Sequence, residues 1–249
     1  ENGKVYVLEA NPRASRTVPL VSKVCNIRMV PLATDIITSE LTGRPSPVPE
    51  LKEQKIPYYG VKEAVFPFNM FPEVDPVLGP EMRSTGEVLG LSESYGEAFF
   101  KAQEAASLKL PLEGTVLISV NKKDKPEVVD VAKRFHEDGF KIIATGKTCD
   151  LLNESGIPAE KVKKLYEGRP NILDMITNGK IDLVVNSPAG KESVHDDSYL
   201  RKAAIKAKIP YMTTIAAAKA TAEGIGYAKA HMEENNGVKS LQQMHSEIQ

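Results

Sequence analysis

Several features that would assign a chain of 249 residues to a broad class are missing from this sequence. The formal net charge is −1, so no excess of positive charge predicts binding to nucleic acid or to an anionic membrane. No apolar run comes near the roughly 20 residues that a helix needs to span a bilayer, and no charged-then-apolar signal segment opens the chain. The two cysteines, Cys25 and Cys149, follow no pairing pattern. They predict free thiols and a cytoplasmic location.

The length allows one large core or two modest ones, and two are the commoner outcome at this length. Residue 1 is Glu rather than Met, which predicts a fragment of a longer protein, and processing or an artificial start would give the same N-terminus. In the N-terminal half, helices are predicted over residues 18–25 and 31–41, with Gly43 as a stop. A strand is predicted over 61–68, and Ser92 or Ser94 could cap a helix that runs to about residue 107. Residues 79–90 combine turn residues with charged ones, and no strand is predicted there.

A carboxylate, an amide and two guanidinium groups follow a short apolar run near the N-terminus. The odd-numbered residues from 5 to 13 would share one face of a strand, which places Glu9 beside Asn11. Carboxylate and amide oxygens suit Mg2+, which usually takes one or two protein ligands while a nucleotide supplies the others. Arg13 and Arg16 could hold an anion bidentately. The plainer interpretation is a solvated turn at the end of a strand.

From residue 114 onward the sequence alternates apolar strands with amphipathic helices. Strands are predicted over residues 115–120, 140–145, 161–165, 181–186 and 209–214. Asp124 and Pro126 are placed to begin a helix that Gly139 ends, and further helices are predicted over 146–155, 172–177, 197–207 and 216–231. This order predicts an α/β fold with a doubly wound parallel sheet that is buried on both faces.

Polar side chains follow three of these predicted strands, at the edge where such folds bind ligands. Thr145-Gly-Lys-Thr148 begins a helix, where free backbone amides and the helix dipole favour phosphate. Lys163 and Lys164 border the third strand, and Asn186 ends the fourth. Taken one at a time, Thr145 and Asn186 could simply cap helices, and the lysines could be solvated. Because the hydroxyl, lysine and amide side chains all lie at one edge of the predicted sheet, together they predict an anion pocket.

The N-terminal half resembles the end of the second ATP-grasp domain in the large chain of carbamoyl-phosphate synthetase. Three stretches carry the resemblance: Glu9-Ala-Asn-Pro-Arg-Ala-Ser-Arg-Thr17, Tyr58-Tyr-Gly-Val-Lys-Glu63 and Asp75-Pro-Val-Leu-Gly-Pro-Glu-Met-Arg-Ser-Thr-Gly-Glu-Val88. It implies that residues 1–109 are the C-terminal portion of that domain, an incomplete α+β segment. It also implies that Glu9 and Asn11 bind Mg2+ or Mn2+ together with ATP, while Arg13 and Arg16 contact the phosphate or carbamate being activated.

The resemblance also implies the activity and the partners of the longer protein to which this sequence would belong. That protein would be an ATP-dependent ligase that makes carbamoyl phosphate from bicarbonate and glutamine-derived ammonia, for arginine and pyrimidine synthesis. Its partners would be a glutamine amidotransferase small subunit and the N-terminal part of the large chain. Because the nucleotide-clamping part of the ATP-grasp domain is not in this sequence, the resemblance implies that the chain alone is inactive and binds no cofactor.

Residues 110–249 resemble the methylglyoxal-synthase-like regulatory domain of the same large chain. In that family the domain binds the inhibitor UMP or the activator IMP, and ornithine binds where the domain meets the synthetase half. The positions that correspond to the nucleotide site are Ser119, Lys125, Thr145, Thr148, Lys164 and Asn186, and those that correspond to the ornithine site are Glu63, Tyr211 and Thr213. Pro188 and Ala189 depart from the family's nucleotide-binding members, which carry hydroxyl residues there.

Two other functions remain open on the sequence. A methylglyoxal-synthase-type lyase would need a carboxylate near the phosphate, but Ser187 stands where that enzyme has an aspartate. His195, beside Asp196 and Asp197, is more typical of a surface residue than of a substitute base. A stand-alone anion- or nucleotide-binding module is the second alternative, and only residues 1–109 argue against it. The sequence leaves the oligomeric state open, a homo-oligomer included.

Overall fold

The computed structural model describes residues 5–7, 9, 15–46, 54–70, 81–187, 194–231 and 239–248. The chain forms two compact units, one of residues 1–58 with 238–249 and one of residues 59–237. The predicted domain boundary at residue 109 rests on resemblance to other proteins, whereas these two units are defined by contacts within the chain. The boundary at residue 109 therefore stays a prediction.

The helices and strands alternate regularly in the larger unit. In chain order they are α1 Thr17–Cys25, α2 Met29–Thr42, β1 Tyr59–Val65, β2 Gly86–Ser92, α3 Tyr95–Ala105, β3 Thr115–Ser119, α4 Lys125–Glu137, β4 Lys141–Thr145, α5 Gly146–Glu154, β5 Ala159–Val162, α6 Ile172–Thr177, β6 Leu183–Asn186, α7 Val194–Lys206, β7 Tyr211–Met212, α8 Ile215–Ala230 and α9 Leu241–Ser246. The predicted helices before residue 109 and the predicted strands and helices after it are confirmed to within a few residues. Within the described ranges, no helix is both long and apolar enough to cross a membrane.

A five-stranded parallel sheet with the order β5-β4-β3-β6-β7 forms the centre of the larger unit. Along β3, Val116 and Ile118 face one core together with Phe135 of α4. Leu117 between them faces a second core, which contains Leu200 of α7. Each such side chain contributes roughly 1.5–3 kcal/mol by its burial. Because alternate residues enter different cores, the strands are apolar without interruption, and the predicted sheet buried on both faces is confirmed.

The chain leaves β3 and β6 towards opposite faces of the sheet. After β3 it enters α4, which packs in the first core, and after β6 it enters α7, which packs in the second. The two strands are neighbours in parallel register, with Ser119 opposite Asn186. Divergence of the loops after adjacent parallel strands leaves a crevice at their carboxyl ends, which is where ligands bind in this architecture.

The antiparallel hairpin of β1 and β2 was not predicted in full, because no strand is predicted over residues 79–90. The two strands pair from Tyr59 opposite Ser92 to Val65 opposite Gly86. A Cβ atom on Gly90 would lie 1.9 Å from the carbonyl oxygen of Ala98 in α3. The glycine therefore allows β2 to lie directly against α3. Glycine in a sequence usually suggests a turn, but here it lies within a strand that packs against a helix.

The predicted opening strand is wrong for the residues that the structure describes. Residues 5–7 and 9 form no strand, and Val5 and Val7 are 94% and 84% exposed. An extended segment without a neighbouring strand leaves its N–H and C=O groups unpaired and its apolar side chains in water. Alternation alone therefore does not make a strand here. Asn11 and Arg13, like Pro188 and Ala189, lie outside the described residues.

Both cysteines are free, as predicted. Cys149 lies in α5 and is buried, and its Sγ is 3.4 Å from the carbonyl oxygen of Ala159. Burial raises the pKa of the Cys149 thiol, and the nearby Asp150 carboxylate raises it further. A thiol held in its neutral form is a packing residue rather than a nucleophile.

Candidate anion-binding site

Two hydroxyl groups meet at the carboxyl ends of β3 and β4. The register of these parallel strands sets Ile118 opposite Ala144, so the residues that follow stand side by side. Ser119 Oγ and Thr145 Oγ1 lie 3.0 Å apart, and Thr145 is only 3% exposed. One hydroxyl donates to the other, which leaves the hydrogen of the second available for a further acceptor. Among the described residues neither hydroxyl has another hydrogen-bond partner.

The first turn of α5 begins directly behind this pair. Thr145 is the N-cap residue of α5, yet its side chain makes no capping hydrogen bond, because its hydroxyl is paired with Ser119 instead. In the same unit, α6 and α8 are capped by Asn171 and Thr214. The interpretation of Thr145 as a simple helix cap is therefore wrong, and the amide groups of Gly146 and its neighbours face the edge of the sheet without a side-chain cap.

Two of the predicted lysines belong to segments that adjoin this edge of the sheet. Lys125 begins α4 and is half-buried, and its Nζ donates a hydrogen bond of 3.0 Å to the carbonyl oxygen of Lys147. Lys164 follows β5, and its Nζ lies 5.9 Å from the centre of the Tyr166 ring. Thr148 is buried in the first turn of α5. The predicted cationic and hydroxyl groups thus arise from β3, β4 and β5 at the same edge of the sheet.

Asn186 connects the last two strands of the sheet. It is 3% exposed, and its Nδ2 donates a hydrogen bond of 2.6 Å to the hydroxyl of Tyr211 in β7. The guanidinium carbon of Arg201 in α7 lies 5.8 Å from the centre of the Tyr211 ring, a cation–π distance. A residue that the resemblance assigns to the nucleotide site therefore contacts one that it assigns to the ornithine site.

The other residues of the predicted ornithine site have different surroundings. Glu63 in β1 accepts a hydrogen bond of 2.9 Å from Nε2 of Gln103, a buried residue of α3. Burial raises the pKa of the Glu63 carboxyl, although the hydrogen bond from Gln103 acts in the opposite direction. Thr213 follows β7 and is exposed. The structure thus joins Tyr211 to Asn186, and it joins Glu63 to Gln103 rather than to Tyr211 or Thr213.

Asn121 is the residue of this edge that sequence reasoning missed. It lies in the loop after β3, and its backbone N–H and its Nδ2 both donate to Ser187 Oγ, each over 3.1 Å. Its Oδ1 accepts from the backbone N–H of Lys123 at 2.7 Å, and its Nδ2 donates to Asp124 Oδ2 at 2.7 Å. An asparagine that closes a turn on the residues after it is a known turn signal, so Asn121-Lys-Lys-Asp124 before a helix start could have identified it.

A shallow cleft of about 430 Å3 lies nearby, between α4 and α5. Of the predicted site residues only Lys125 lines it, and the cleft also contains Asp150 and Glu154. The two carboxylates offset the positive charges of Lys125 and Lys147 in the cleft, whereas the pair of hydroxyls at Ser119 and Thr145 offers a donor. The edge of the sheet therefore suits an anion better than this cleft does.

The predicted metal and ATP residues are only partly described. Glu9 and Arg16 are exposed, while Asn11 and Arg13 lie outside the described residues. In the described part of the chain, no three His, Cys, Asp or Glu side chains are close enough together to hold a metal ion. Because Mg2+ usually takes one or two protein ligands while a nucleotide supplies the others, the described part of the predicted site consists of one exposed carboxylate ligand, Glu9.

Comparison with known proteins gives one consistent family. Residues 127–213 match the family model of the MGS-like domain. The chain is 44% identical over 265 residues to the carbamoyl phosphate synthase large chain, C-terminal section, of Aquifex aeolicus, covering 99% of this chain and 49% of that protein. It is 50% identical over 238 residues to the protein of the same name from Methanopyrus kandleri, covering 92% of this chain and 43% of that protein.

A full-length relative gives the same match over a smaller share of its length. The chain is 47% identical over 245 residues to the carbamoyl phosphate synthase large chain of Gemmatimonas aurantiaca, covering 98% of this chain and 22% of that protein. The chain thus spans between 22% and 49% of the length of these relatives. The chain corresponds over nearly its whole length to the C-terminal section of the carbamoyl phosphate synthase large chain, and it carries an MGS-like domain.

Proposed function

We propose that the carboxyl edge of the parallel sheet binds the phosphate group of a nucleoside monophosphate, and that the chain is the regulatory part of a carbamoyl phosphate synthase. The observation that carries the proposal is the hydroxyl pair of Ser119 and Thr145, which leaves a donor hydrogen beside an α5 N-terminus that no side chain caps. Phosphate oxygens are acceptors, so they match a surface that offers hydroxyl, amide and ammonium donors. UMP and IMP both carry such a group.

The same geometry supports binding rather than lyase chemistry. Removal of phosphate from a triose phosphate needs a carboxylate that moves protons beside the phosphate. Ser187 stands at that position, and its Oγ accepts two hydrogen bonds from Asn121. Asp124, in the loop after β3, accepts a hydrogen bond from Asn121 Nδ2 and is thereby held in the turn. A regulatory binding site requires none of this proton transfer.

For the parent protein we propose the activity that the names of the relatives state. It would be a cytoplasmic ligase that forms carbamoyl phosphate with ATP and Mg2+ or Mn2+, together with a glutamine amidotransferase subunit and the rest of the large chain. In it, Glu9 and Asn11 would hold the metal, and Arg13 and Arg16 the reacting anion. The chain alone should not turn over ATP with bicarbonate and ammonia, and release of ADP above background would contradict this.

Ornithine is proposed as a second effector, bound by Glu63, Tyr211 and Thr213. The supporting observation is the hydrogen bond from Asn186 to Tyr211. It links a residue of the proposed nucleotide site directly to a residue of the proposed ornithine site. Calorimetric titration of ornithine into the chain and into a Glu63→Gln variant tests this, since loss of the carboxylate should weaken binding of an ammonium group. Equal binding by both proteins would exclude Glu63.

The decisive measurement is calorimetric titration of UMP, IMP and inorganic phosphate into three proteins: the unchanged chain, Lys164→Ala and Lys180→Ala. We expect the unchanged chain to bind, and Lys164→Ala to bind roughly tenfold more weakly, because a charge-assisted hydrogen bond to phosphate is lost. Lys180 is exposed and precedes β6 at the opposite edge of the sheet, so Lys180→Ala should bind normally. Absence of binding by the unchanged chain would contradict the proposed function.

A further inference from the structure

The hydroxyl of Ser187 has an unusual set of partners. Ser187 follows β6 and is 5% exposed. Its backbone N–H donates to the carbonyl oxygen of Ser119 at 3.1 Å, which fixes it beside the end of β3. Its Oγ accepts one hydrogen bond from the backbone N–H of Asn121 and another from Asn121 Nδ2, each over 3.1 Å. Both donors therefore come from one residue, on the other side of the crevice between β3 and β6.

The orientation of the Asn121 amide is settled by its other partners. Its Oδ1 accepts from the backbone N–H groups of Lys123 and Asp124, at 2.7 and 3.2 Å. These partners are donors only, so the oxygen must face them and the NH2 group must face Ser187 and Asp124. A rotation of the amide by 180° would place the NH2 group against two N–H groups. The direction of the bond to Ser187 is thus a consequence of the turn.

A serine hydroxyl has two acceptor positions and one donor hydrogen. Because Asn121 occupies both acceptor positions of Ser187 Oγ, the hydroxyl can act towards anything else only as a donor. Within the described ranges no acceptor for this hydrogen is present. The backbone of Ser187 is bonded to that of Ser119, whose own hydroxyl belongs to the candidate site.

We propose that Asn121 is a positioning residue that makes the Ser187 hydroxyl an obligate donor to an oxyanion bound in the crevice between β3 and β6. The inference rests on the proposed function and adds two residues that the family resemblance does not assign to the site. The ligand group is a phosphate monoester or inorganic phosphate, which present acceptor oxygens. A ligand group that must itself donate is rejected, because two donors would then face each other.

The test measures affinity for inorganic phosphate and for UMP by calorimetry in Ser187→Ala, Ser187→Thr and Asn121→Ala. We expect Ser187→Ala to lower affinity roughly tenfold, the usual effect of losing a hydrogen bond to a charged group. Ser187→Thr keeps the hydroxyl and should retain the affinity of the unchanged chain. Asn121→Ala should lower affinity less, because the hydroxyl persists but is free to rotate away from the ligand.

The double variant separates positioning from general loosening of the loop. If Asn121 acts through Ser187, Asn121→Ala will have no further effect on affinity in the Ser187→Ala background. Thr221→Val is the matched control, because Thr221 is a buried residue of α8 whose hydroxyl donates to the carbonyl oxygen of Ala217 in the same helix. It should lower the urea midpoint of unfolding without changing affinity, which shows that lost stability alone does not weaken binding.

Three outcomes would overturn the inference in different ways. If the unchanged chain binds neither ligand, the proposed function fails and the inference with it. If the unchanged chain binds and Ser187→Ala binds equally well, the proposed function stands and the role of Ser187 is wrong. If the effects of Ser187→Ala and Asn121→Ala on affinity are additive, Asn121 does not act through Ser187.

Discussion

The carboxylate of Asp174 organises the segment that leads into α6. It accepts hydrogen bonds from Nε of Arg169 and from the backbone N–H of Asn171, both over 2.9 Å. Asn171 in turn caps α6 by accepting from the backbone N–H of Leu173 at 3.0 Å. The hydrogen bonds from Arg169 and from Asn171 lower the pKa of the Asp174 carboxyl. The ionised form of one side chain thus holds both the cap and the preceding loop.

We predict that Asp174→Asn destabilises the protein at neutral pH but not in acid. A pKa lower in the folded state means that ionisation stabilises the fold above the unfolded value of about 3.9, and that this stability is lost as the pH falls through the folded pKa. Urea unfolding should show a lower midpoint than the unchanged protein at pH 7, and the difference should shrink as the pH falls below the unfolded pKa of about 3.9. Asp130→Asn, on the exposed face of α4, is the control, and equal loss at both pH values would contradict this origin.

Residue types at the edge of the sheet could be predicted from the sequence, but their partners could not. Thr145 and Ser119 lie where the strand pattern places them, because parallel strands end at a common edge. That Thr145 pairs with Ser119 instead of capping α5 depends on the register between two strands. The bond between Asn121 and Ser187 joins residues 66 positions apart, and no local pattern contains that information.

Among the elements, the hairpin of β1 and β2 shows how packing overrides local preference. Its second strand contains Gly86 and Gly90, and glycine is unfavourable in strand interiors. Gly90 is needed because β2 lies directly against α3, where a Cβ atom would also meet the backbone nitrogen of Ala102 at 2.7 Å. The helices and the parallel strands had no such conflict between local pattern and packing, so the sequence pattern predicted them well.

Gly90→Ala and Gly86→Ala form a matched pair in the same strand. A Cβ atom on Gly86 meets nothing within 4 Å, whereas one on Gly90 meets the backbone of α3. We predict that Gly90→Ala lowers the free energy of unfolding by about 1–3 kcal/mol or more, as overpacking against rigid backbone does. Gly86→Ala should change it by less than about 0.5 kcal/mol. Equal effects in urea unfolding would mean that β2 does not approach α3 this closely.

At the scale of the whole molecule, both hydrophobic cores and all described residues of the candidate anion site lie in the unit of residues 59–237. The smaller unit contains α1, in which no residue is buried, and α2, in which only Ser39 is. The two cores and the candidate anion site are therefore concentrated in one part of the chain.

We predict that a chain of residues 59–237 folds on its own and binds inorganic phosphate and UMP with the affinity of the full chain. Its unfolding in urea, followed by circular dichroism, should be a single cooperative transition, because both cores are retained. Calorimetry on the shortened and full chains compares the affinities directly. A gradual transition, or loss of binding with the fold intact, would show that residues outside this unit contribute to the core or to the site.

The strand order also bears on how the protein folds. Val116 in the central strand β3 pairs with Ile142 of β4 on one side and with Leu183 of β6, much further along the chain, on the other. Contacts over longer chain separations cost more loop entropy and form later. We therefore expect β3, β4 and β5 to assemble first, and β6 to dock last together with β7. A ligand held across the junction of β3 and β6 would then act on the final step, and it should slow unfolding far more than it speeds folding.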